Sequence, residues 1–202
     1  MQRRTATLLT TVAALAALSL PASAASLATA TTSLNIRSGP GPEYPVTGAI
    51  PERGQATVTG CIQGSLWCQV MYDGKQGWAY SQYMMGMAGG QAVAVNQTVP
   101  AIAPPTATVG TTVVTRTISG EFIAPVAGSP MSIAPPPEPV QTYIVQNPAT
   151  QVYLNGEVVE GVGLPEDVVL TPVPNYEYSY AYVNGVPVLV EPGTRRVRYI
   201  YR

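Results

Sequence analysis

The sequence contains no histidine, one lysine and two cysteines. Without histidine the chain cannot form a Ser-His-Asp triad, a Cys-His pair, an imidazole zinc site or an HExxH helix. It also has no GxGxxG motif before a helix, no phosphate-binding loop and no spaced set of metal ligands. We therefore predict a protein that is not an enzyme, with no cofactor and no metal site.

Charge is scarce as well. Charged residues make up 10% of the 202 residues, whereas about a quarter is typical of soluble proteins. Glycine and proline are abundant, with 19 and 20 copies. Because both residues punctuate chains with turns, this composition predicts a mainly β protein with short strands and a weakly charged linker.

Residues 1–24 have the pattern of a secretory signal peptide. Arg3 and Arg4 precede an apolar stretch at about residues 5–20, and Ala22-Ser23-Ala24 provides small residues for cleavage after Ala24. The alternative is a membrane anchor, but the stretch is shorter than the ~20 residues that cross a bilayer. No later segment resembles a span, so we expect no transmembrane segment after cleavage.

The predicted export suggests both a location and a class of partner. Cleavage would leave eight basic and eleven acidic residues. That balance disfavours nucleic acid as a partner, because nonspecific binding to nucleic acid needs a basic surface. We expect the protein in the periplasm or cell envelope.

Cys61 and Cys68 are predicted to form a disulfide, since export places them in an oxidising compartment. Residues 56–72 have the pattern of two strands joined by a two-residue loop, Gly64-Ser65. In that register the two cysteines face each other at a distance that a disulfide can bridge. The bond would contribute about 2–3 kcal/mol. The alternative is a redox-active pair, which lacks the usual C-x-x-C spacing.

Residues 32–85 have the pattern of a small β-barrel with five short strands. Leu34 and Ile36 alternate with Asn35 and Arg37, as in a half-buried strand whose polar residues point outward. Glycine and proline in residues 38–42 then force a loop. The segments LNIRSGPGPEYPVTGAIPERG, GC…WC and GWAYSQYM together resemble a bacterial SH3-like domain of the exported type. This resemblance implies binding of cell-wall peptide or glycan, often beside a catalytic domain that uses histidine.

Residues 86–150 are rich in alanine, valine, threonine, glycine and proline, and their only charged residues are Arg116, Glu121 and Glu138. We interpret them mainly as a linker. Residues 111–118 are β-branched enough for a strand. The alternative to a spacer is a proline-rich ligand for a partner or for the barrel itself.

Residues 151–202 are predicted to form a small antiparallel β module. Asn155-Gly156 and Asn184-Gly185 are hairpin signals, and residues 168–170 have the composition of another strand. The segments GVGLPEDVVLTPVP and VNGVPVLVEPGTRR resemble a C-terminal domain of unknown function from exported bacterial proteins. The resemblance implies no activity.

The predicted register of this module separates two faces. One is mostly apolar and receives Arg195, Val197, Tyr199 and Tyr201 from the last strand. The other, the tyrosine face, collects Tyr176, Tyr178, Tyr180, Tyr182, Arg196 and Arg198. Tyrosine and arginine side chains can bind sugars or anions. They can equally pack on another part of the chain.

The leading hypothesis is a noncatalytic envelope protein whose barrel binds cell-wall peptide, glycan or a protein segment. The candidate ligand contacts are Arg37, Tyr44, Trp67, Tyr80 and Tyr83. Trp67 and Trp78 have a second interpretation as core residues of a small barrel.

Two other functions are open. One is an adaptor that binds envelope proteins through edge strands or the tyrosine face, with Tyr178, Tyr180, Tyr182, Arg196 and Arg198 as contacts. The other is hydrolysis by carboxylate pairs, either Glu157 with Glu160 or Glu166 with Asp167. Hydrolysis is disfavoured because neither module is long enough to surround a sugar chain.

Overall fold

A computed structural model describes residues 25–105, 118–125 and 133–202. The predicted signal peptide lies outside these ranges. So does the predicted strand at 111–118, except for Ile118. Two β-sheets dominate the described residues, which confirms the mainly β fold.

The first sheet forms the barrel, and its strands follow the order β3-β2-β6-β5-β4-β1-β7-β8, with β9 beside β4. The five predicted strands are β2 to β6. The strands are β1 (Ser26–Ala30), β2 (Leu34–Arg37), β3 (Val46–Ile50), β4 (Gln55–Ile62), β5 (Trp67–Tyr72), β6 (Lys75–Tyr80), β7 (Met84–Ala88), β8 (Gln91–Ala94) and β9 (Ala101–Ile102).

The sequence analysis did not predict strand β1, which lies inside the sheet, between β4 and β7. Its large apolar residue points outward, since Leu27 is 63% exposed, whereas the small Ala28 and Ala30 are buried. Hydrophobic periodicity is a weak signal when the buried face consists of alanine.

The disulfide between Cys61 and Cys68 is confirmed, and the two residues are directly paired between β4 and β5. The predicted two-residue loop is wrong. Residues 63–66 connect the strands, and the Ser65 N–H donates to the Ile62 carbonyl at 3.1 Å. A register shift between Val58 and Gly60 accompanies the longer connection.

The second sheet is mixed rather than wholly antiparallel. Its order is β10-β11-β13-β14-β15, with β12 also paired to β13, and the pairs β10/β11 and β11/β13 are parallel. The strands are β10 (Ile118–Glu121), β11 (Gln151–Asn155), β12 (Thr171–Pro172), β13 (Ser179–Val183), β14 (Val186–Glu191) and β15 (Arg196–Ile200). The predicted strand at 168–170 is therefore wrong, and the nearest strand is β12, which begins at Thr171.

The two Asn-Gly signals have different outcomes. Asn184 and Gly185 have φ values of 50° and 83° and join β13 to β14 in the predicted register. Asn155 instead ends β11, and no strand folds back after Gly156. The chain beyond it turns inward, and Val158 and Val159 are buried in the core. The expected first hairpin is therefore wrong.

The segment predicted as a linker contains regular structure in its described parts. It includes β8, β9, β10 and one helix, α1 (Glu138–Gln146), which begins after Pro137. Val140 and Ile144, four residues apart, form the buried side of α1. No helix in the described ranges is long and apolar enough to cross a membrane.

The core consists of two clusters. The larger one is continuous across the barrel and the C-terminal module, since it joins Leu34 and Val58 to Leu154, Val188 and Val197. The smaller one packs α1 against the opposite face of the second sheet. The two modules therefore share one apolar interior.

Gly77 tests the packing of the barrel. A β-carbon at this position would lie 2.4 Å from Ile36 Cγ2 and 2.6 Å from the Arg37 carbonyl oxygen. We expect Gly77→Ala to lower the free energy of unfolding by about 1–3 kcal/mol, because β2 and β6 must move apart. Urea denaturation monitored by tryptophan fluorescence measures this change.

Gly193→Ala is the matched control, since its added methyl group would have no neighbour within 4 Å. We expect a change below about 0.5 kcal/mol for this variant. Equal stability of the two variants would contradict the close approach of β2 and β6.

Candidate functional site

Arg37 lies at the centre of the junction between the two modules. The sequence analysis placed its side chain outward as a ligand contact, but the structure buries it completely. All four residues of β2 are buried, because the barrel covers one face of the strand and the C-terminal module covers the other. Alternation within one strand cannot reveal a second module.

The partner of Arg37 is Glu157, which is 1% exposed. Arg37 Nε and Nη2 donate to the two carboxylate oxygens, the latter at 2.7 Å, which makes a bidentate ion pair. Arg37 Nη1 lies 2.8–2.9 Å from three carbonyl oxygens, those of Pro42, Tyr44 and Asn184. The guanidinium therefore links the barrel loop at 42–44 to the C-terminal module.

Further hydrogen bonds surround the ion pair. Asn35 Nδ2 and the Val158 N–H donate to Glu157 Oε1 at 3.1 and 2.9 Å. Arg202 Nε donates to Asn35 Oδ1 at 2.7 Å, so the last residue of the chain is tied to β2. Burying a charge is costly unless it is paired and hydrogen-bonded, and this network meets both requirements.

The turn after β11 is held by Asn184, which is fully buried. Its side-chain oxygen accepts from the Leu154 N–H at 2.8 Å, and its amide donates to the carbonyls of Leu154 and Gly156 at 3.1 Å. The hairpin residue Asn184 therefore positions residues 155–157 against the barrel. Sequence reasoning gave Asn155 and Asn184 only as hairpin residues and Glu157 only as a candidate for hydrolysis, and it missed the positions of all three at the junction.

Tyr80, which is 9% exposed, is the central aromatic residue of this junction. Its ring forms an edge contact with Trp67 at 5.3 Å between centroids and a tilted contact with Tyr83 at 6.3 Å. On its other side, a β-carbon on Gly156 would lie 3.5 Å from the ring. Three of the predicted ligand residues are therefore adjacent, and the C-terminal module borders them.

The surface around Tyr80 forms what we call the junction cleft, which has two depressions. The Trp67 depression has a volume of about 390 Å³ and lies between residues 40–43, residues 64–66, Trp67, Tyr80 and Asn155. The Tyr83 depression has a volume of about 290 Å³ and is lined by Tyr80, Gln82, Tyr83, Glu121, Phe122, Ala124, residues 155–157 and Val162. Both barrel and C-terminal residues line each depression, and Tyr80 and Asn155 border both.

The electrostatic environment of the cleft favours neutral phenols. Burial raises the pKa of Tyr80, and the nearby Glu121 carboxylate adds to this effect. Burial, with smaller contributions from Tyr80 and Glu157, raises the pKa of Tyr83 to about 12. The hydroxyl groups therefore remain protonated donors at neutral pH.

The remaining barrel candidates contribute less to the cleft. The Tyr44 ring covers Gly39, where a β-carbon would lie 2.2 Å from Tyr44 Cδ1. Trp67 and Trp78 are 5% and 8% exposed, as the core interpretation predicts, although Trp67 also borders its depression.

The tyrosine face is covered by α1. Tyr180 is 1% exposed and packs with Val140, Ile144 and Leu189. Its hydroxyl donates to the Asn147 carbonyl, and the Tyr182 hydroxyl donates to that of Ile144 at 3.2 Å. Tyr178 is partly buried in the same cluster. The tyrosine face therefore packs on another part of the chain, which is one of the two alternatives given by the sequence analysis.

The predicted register between β14 and β15 is wrong. Leu189 pairs with Tyr199 and Val190 pairs with Val197, with a register shift between them. Tyr199 and Tyr201 consequently pack in the cluster under α1, while Val197 and Ile200 lie in the larger core. The bulge lets β15 send two tyrosines to one face and aliphatic residues to the other.

The arginines of β15 contact the protein itself. Arg196 Nη1 donates to the carbonyls of Gly161 and Ala124 at 2.8 and 3.2 Å. Arg198 Nη2 donates to Glu191 Oε2 at 2.7 Å. The hydrogen bond from the Thr194 hydroxyl, followed by that from Arg198, lowers the pKa of Glu191. These contacts hold the loops around the second sheet.

The four carboxylates considered for hydrolysis lie in different environments. Both oxygens of Glu157 bind Arg37. Burial raises the pKa of Glu160, while Arg202 opposes the effect. Glu166 and Asp167 are exposed. In the described ranges no group of three or more histidine, cysteine, aspartate or glutamate residues could hold a metal ion.

Glu157→Gln tests the buried ion pair. The substitution preserves size but leaves the Arg37 charge without a counterion, so we expect a loss of about 3–5 kcal/mol in the free energy of unfolding. Urea denaturation provides the measurement. Glu191→Gln is the control, because its pair with Arg198 is partly exposed and should contribute at most about 1 kcal/mol. Equal losses in both variants would argue against a dominant role for the Arg37 pair.

Tyr83 predicts a loss of stability at alkaline pH. Its pKa is raised to about 12 in the folded protein, whereas an unfolded tyrosine ionises near pH 10. Ionisation therefore favours the unfolded chain, and stability should fall between about pH 10 and 12. We expect a smaller fall in Tyr83→Phe, measured as urea midpoints across this range. Part of the loss of stability will remain in this variant, because the pKa of Tyr201 is also raised to about 12. An unchanged fall in the variant would contradict the assignment.

Comparison with known families supports both sequence resemblances. Residues 32–85 match the family model of the bacterial SH3 domain, and residues 143–202 match that of a domain of unknown function, DUF1236. Searches of curated proteins and of solved structures found no match. The disulfide and the SH3 domain indicate an extracytoplasmic location. The chain is thus an extracytoplasmic protein in which a segment that matches the bacterial SH3 domain, a family that points to a binding module, precedes a segment that matches DUF1236.

Proposed function

We propose that the protein is a noncatalytic component of the bacterial periplasm or cell envelope that binds cell-wall peptide or glycan in the junction cleft. The observation that carries this proposal is the position of Tyr80 and Tyr83 beside the loop at 155–157. The cleft combines aromatic surface with polar groups at its edges, as small-ligand sites generally do.

The chemistry of the cleft suits an extended polar polymer. Tyrosine rings offer flat surfaces for sugar rings and peptide planes, and their hydroxyls offer hydrogen bonds. Asn155 is exposed and borders both depressions, so its side chain can contact a ligand that crosses Tyr80. Two adjoining depressions favour a chain-like ligand over a compact one.

The ion pair below the cleft supports binding rather than cleavage. Residue Glu157 borders the Tyr83 depression, but its side chain is fully buried, and its carboxylate accepts hydrogen bonds from Arg37, Asn35 and the Val158 N–H. A general acid or base must exchange protons with the ligand. Glu157 instead positions the wall of the cleft.

Asn155→Arg tests the proposed site. The residue is exposed, so the longer side chain should fill the cleft without disturbing the core. We expect at least about a tenfold weaker association with purified peptidoglycan, because even a loss of 1.4 kcal/mol has that effect. Sedimentation with insoluble peptidoglycan measures the bound fraction.

Asn96→Arg is the matched control. Asn96 is also exposed, in the 3-10 turn Val95–Gln97, and lies outside both depressions. This variant should bind like the unaltered protein. If the unaltered protein does not sediment with peptidoglycan, or if both variants bind equally well, the proposed site is wrong.

A further inference from the structure

Among the residues that the structure describes, those lining the two depressions of the junction cleft include acidic but no basic residues. Glu43 borders the Trp67 depression, and Glu121 borders the Tyr83 depression. The Glu43 carboxylate lies against Gly41, where a β-carbon would be 2.3 Å from Oε2. Glu121 accepts a hydrogen bond from Asn155 Nδ2 at 3.1 Å. Each carboxylate therefore belongs to a residue that borders the same depression as aromatic residues.

The nearby cations are engaged elsewhere. Arg37 lies beneath the cleft, but its side chain is fully buried and paired with Glu157. Arg202 donates to Asn35 and to the Ser33 carbonyl. Arg196 Nη1 donates to the carbonyls of Ala124 and Gly161. Within the described parts of the chain, no basic residue lining the cleft balances the charges of Glu43 and Glu121.

The aromatic residues of the cleft, like its carboxylates, attract a positively charged group. The face of a tyrosine or tryptophan ring is electron-rich and attracts a cation within about 6 Å of its centroid. The field of Glu121 also reaches Tyr80, because it contributes to the raised pKa of that phenol. A positive group placed between Glu121 and Tyr80 would interact favourably with both.

We propose that the junction cleft selects a ligand that carries a positive charge, namely a peptide with an amino or guanidinium group. This inference rests on the proposed function and specifies the part of the cell-wall ligand that is recognised. The second sheet supplies Glu121 from β10 and Asn155 from β11, and only Asn155 lies in the segment that matches DUF1236. This edge of the sheet would thereby determine which ligands the SH3 segment binds.

A neutral glycan and an anionic ligand fit the cleft less well. A neutral sugar would use the rings but leave both carboxylates without a partner. An anion would approach two negative charges with no arginine available in the lining, and like charges at close range repel. A cationic peptide uses the rings, the carboxylates and the Asn155 amide together.

The test compares purified peptidoglycan with the same material after acetylation of its free amino groups. Acetylation removes the positive charge and leaves the glycan and the peptide backbone in place. We expect binding of the unaltered protein to fall at least tenfold on acetylated material, about 1.4 kcal/mol. Binding to untreated peptidoglycan should also weaken with salt, because exposed charges are screened.

Two variants locate the effect. Glu43→Gln and Glu121→Gln remove one carboxylate each, and each should weaken binding to untreated peptidoglycan with less effect on the acetylated form. Glu177→Gln is the control, because Glu177 is exposed and lies outside both depressions. Thermal unfolding of the variants verifies that each is folded.

The outcomes separate the two proposals. Selective loss on acetylated material, reproduced by the variants at 43 and 121, supports cation selection. Equal binding to both materials overturns cation selection while the proposed function stands. Failure to bind either material overturns both. Loss on acetylation that neither Glu43→Gln nor Glu121→Gln reproduces places the cation outside the junction cleft and also overturns this inference.

Discussion

The buried ion pair between Arg37 and Glu157 is the interaction on which the arrangement of the two domains depends. Each partner comes from a different domain, and neither is accessible to water. Burying two charges costs several kcal/mol per ion, so the pair is stable only with its full set of hydrogen bonds. Asn35, Val158 and the carbonyls around Arg37 complete that set, which restricts the domains to one relative position.

The same restriction creates the junction cleft. Glu157 follows the turn at Asn155-Gly156, so fixing its carboxylate against Arg37 also brings that turn to Tyr80. A bacterial SH3 domain alone would present the aromatic residues without the Asn155 wall. The DUF1236 domain thereby acquires a physical role, because it supplies one side of the surface that we propose as the ligand site.

The second sheet shows that a face rich in tyrosine and arginine need not bind a ligand. Its tyrosines alternate with aliphatic residues, so one face enters the shared core and the other needs a cover. Helix α1 supplies that cover, and backbone carbonyls accept the hydroxyl hydrogen bonds of Tyr180 and Tyr182. The arginines of β15 likewise bind carbonyls and Glu191, which leaves the junction cleft as the better candidate for recognition.

Local patterns in the sequence determined the five strands from β2 to β6, the Cys61–Cys68 pair, the hairpin at Asn184-Gly185 and both domain families, because turns and alternation act over a few residues. They also indicated Tyr80 and Tyr83, but not their surroundings. Tertiary structure alone decided that Arg37 is buried, that Asn155-Gly156 forms no hairpin and that β15 is shifted by a bulge. Each of these depends on a contact between residues far apart in the chain. Arg37 and Glu157 are 120 positions apart, and no local pattern signals their pairing.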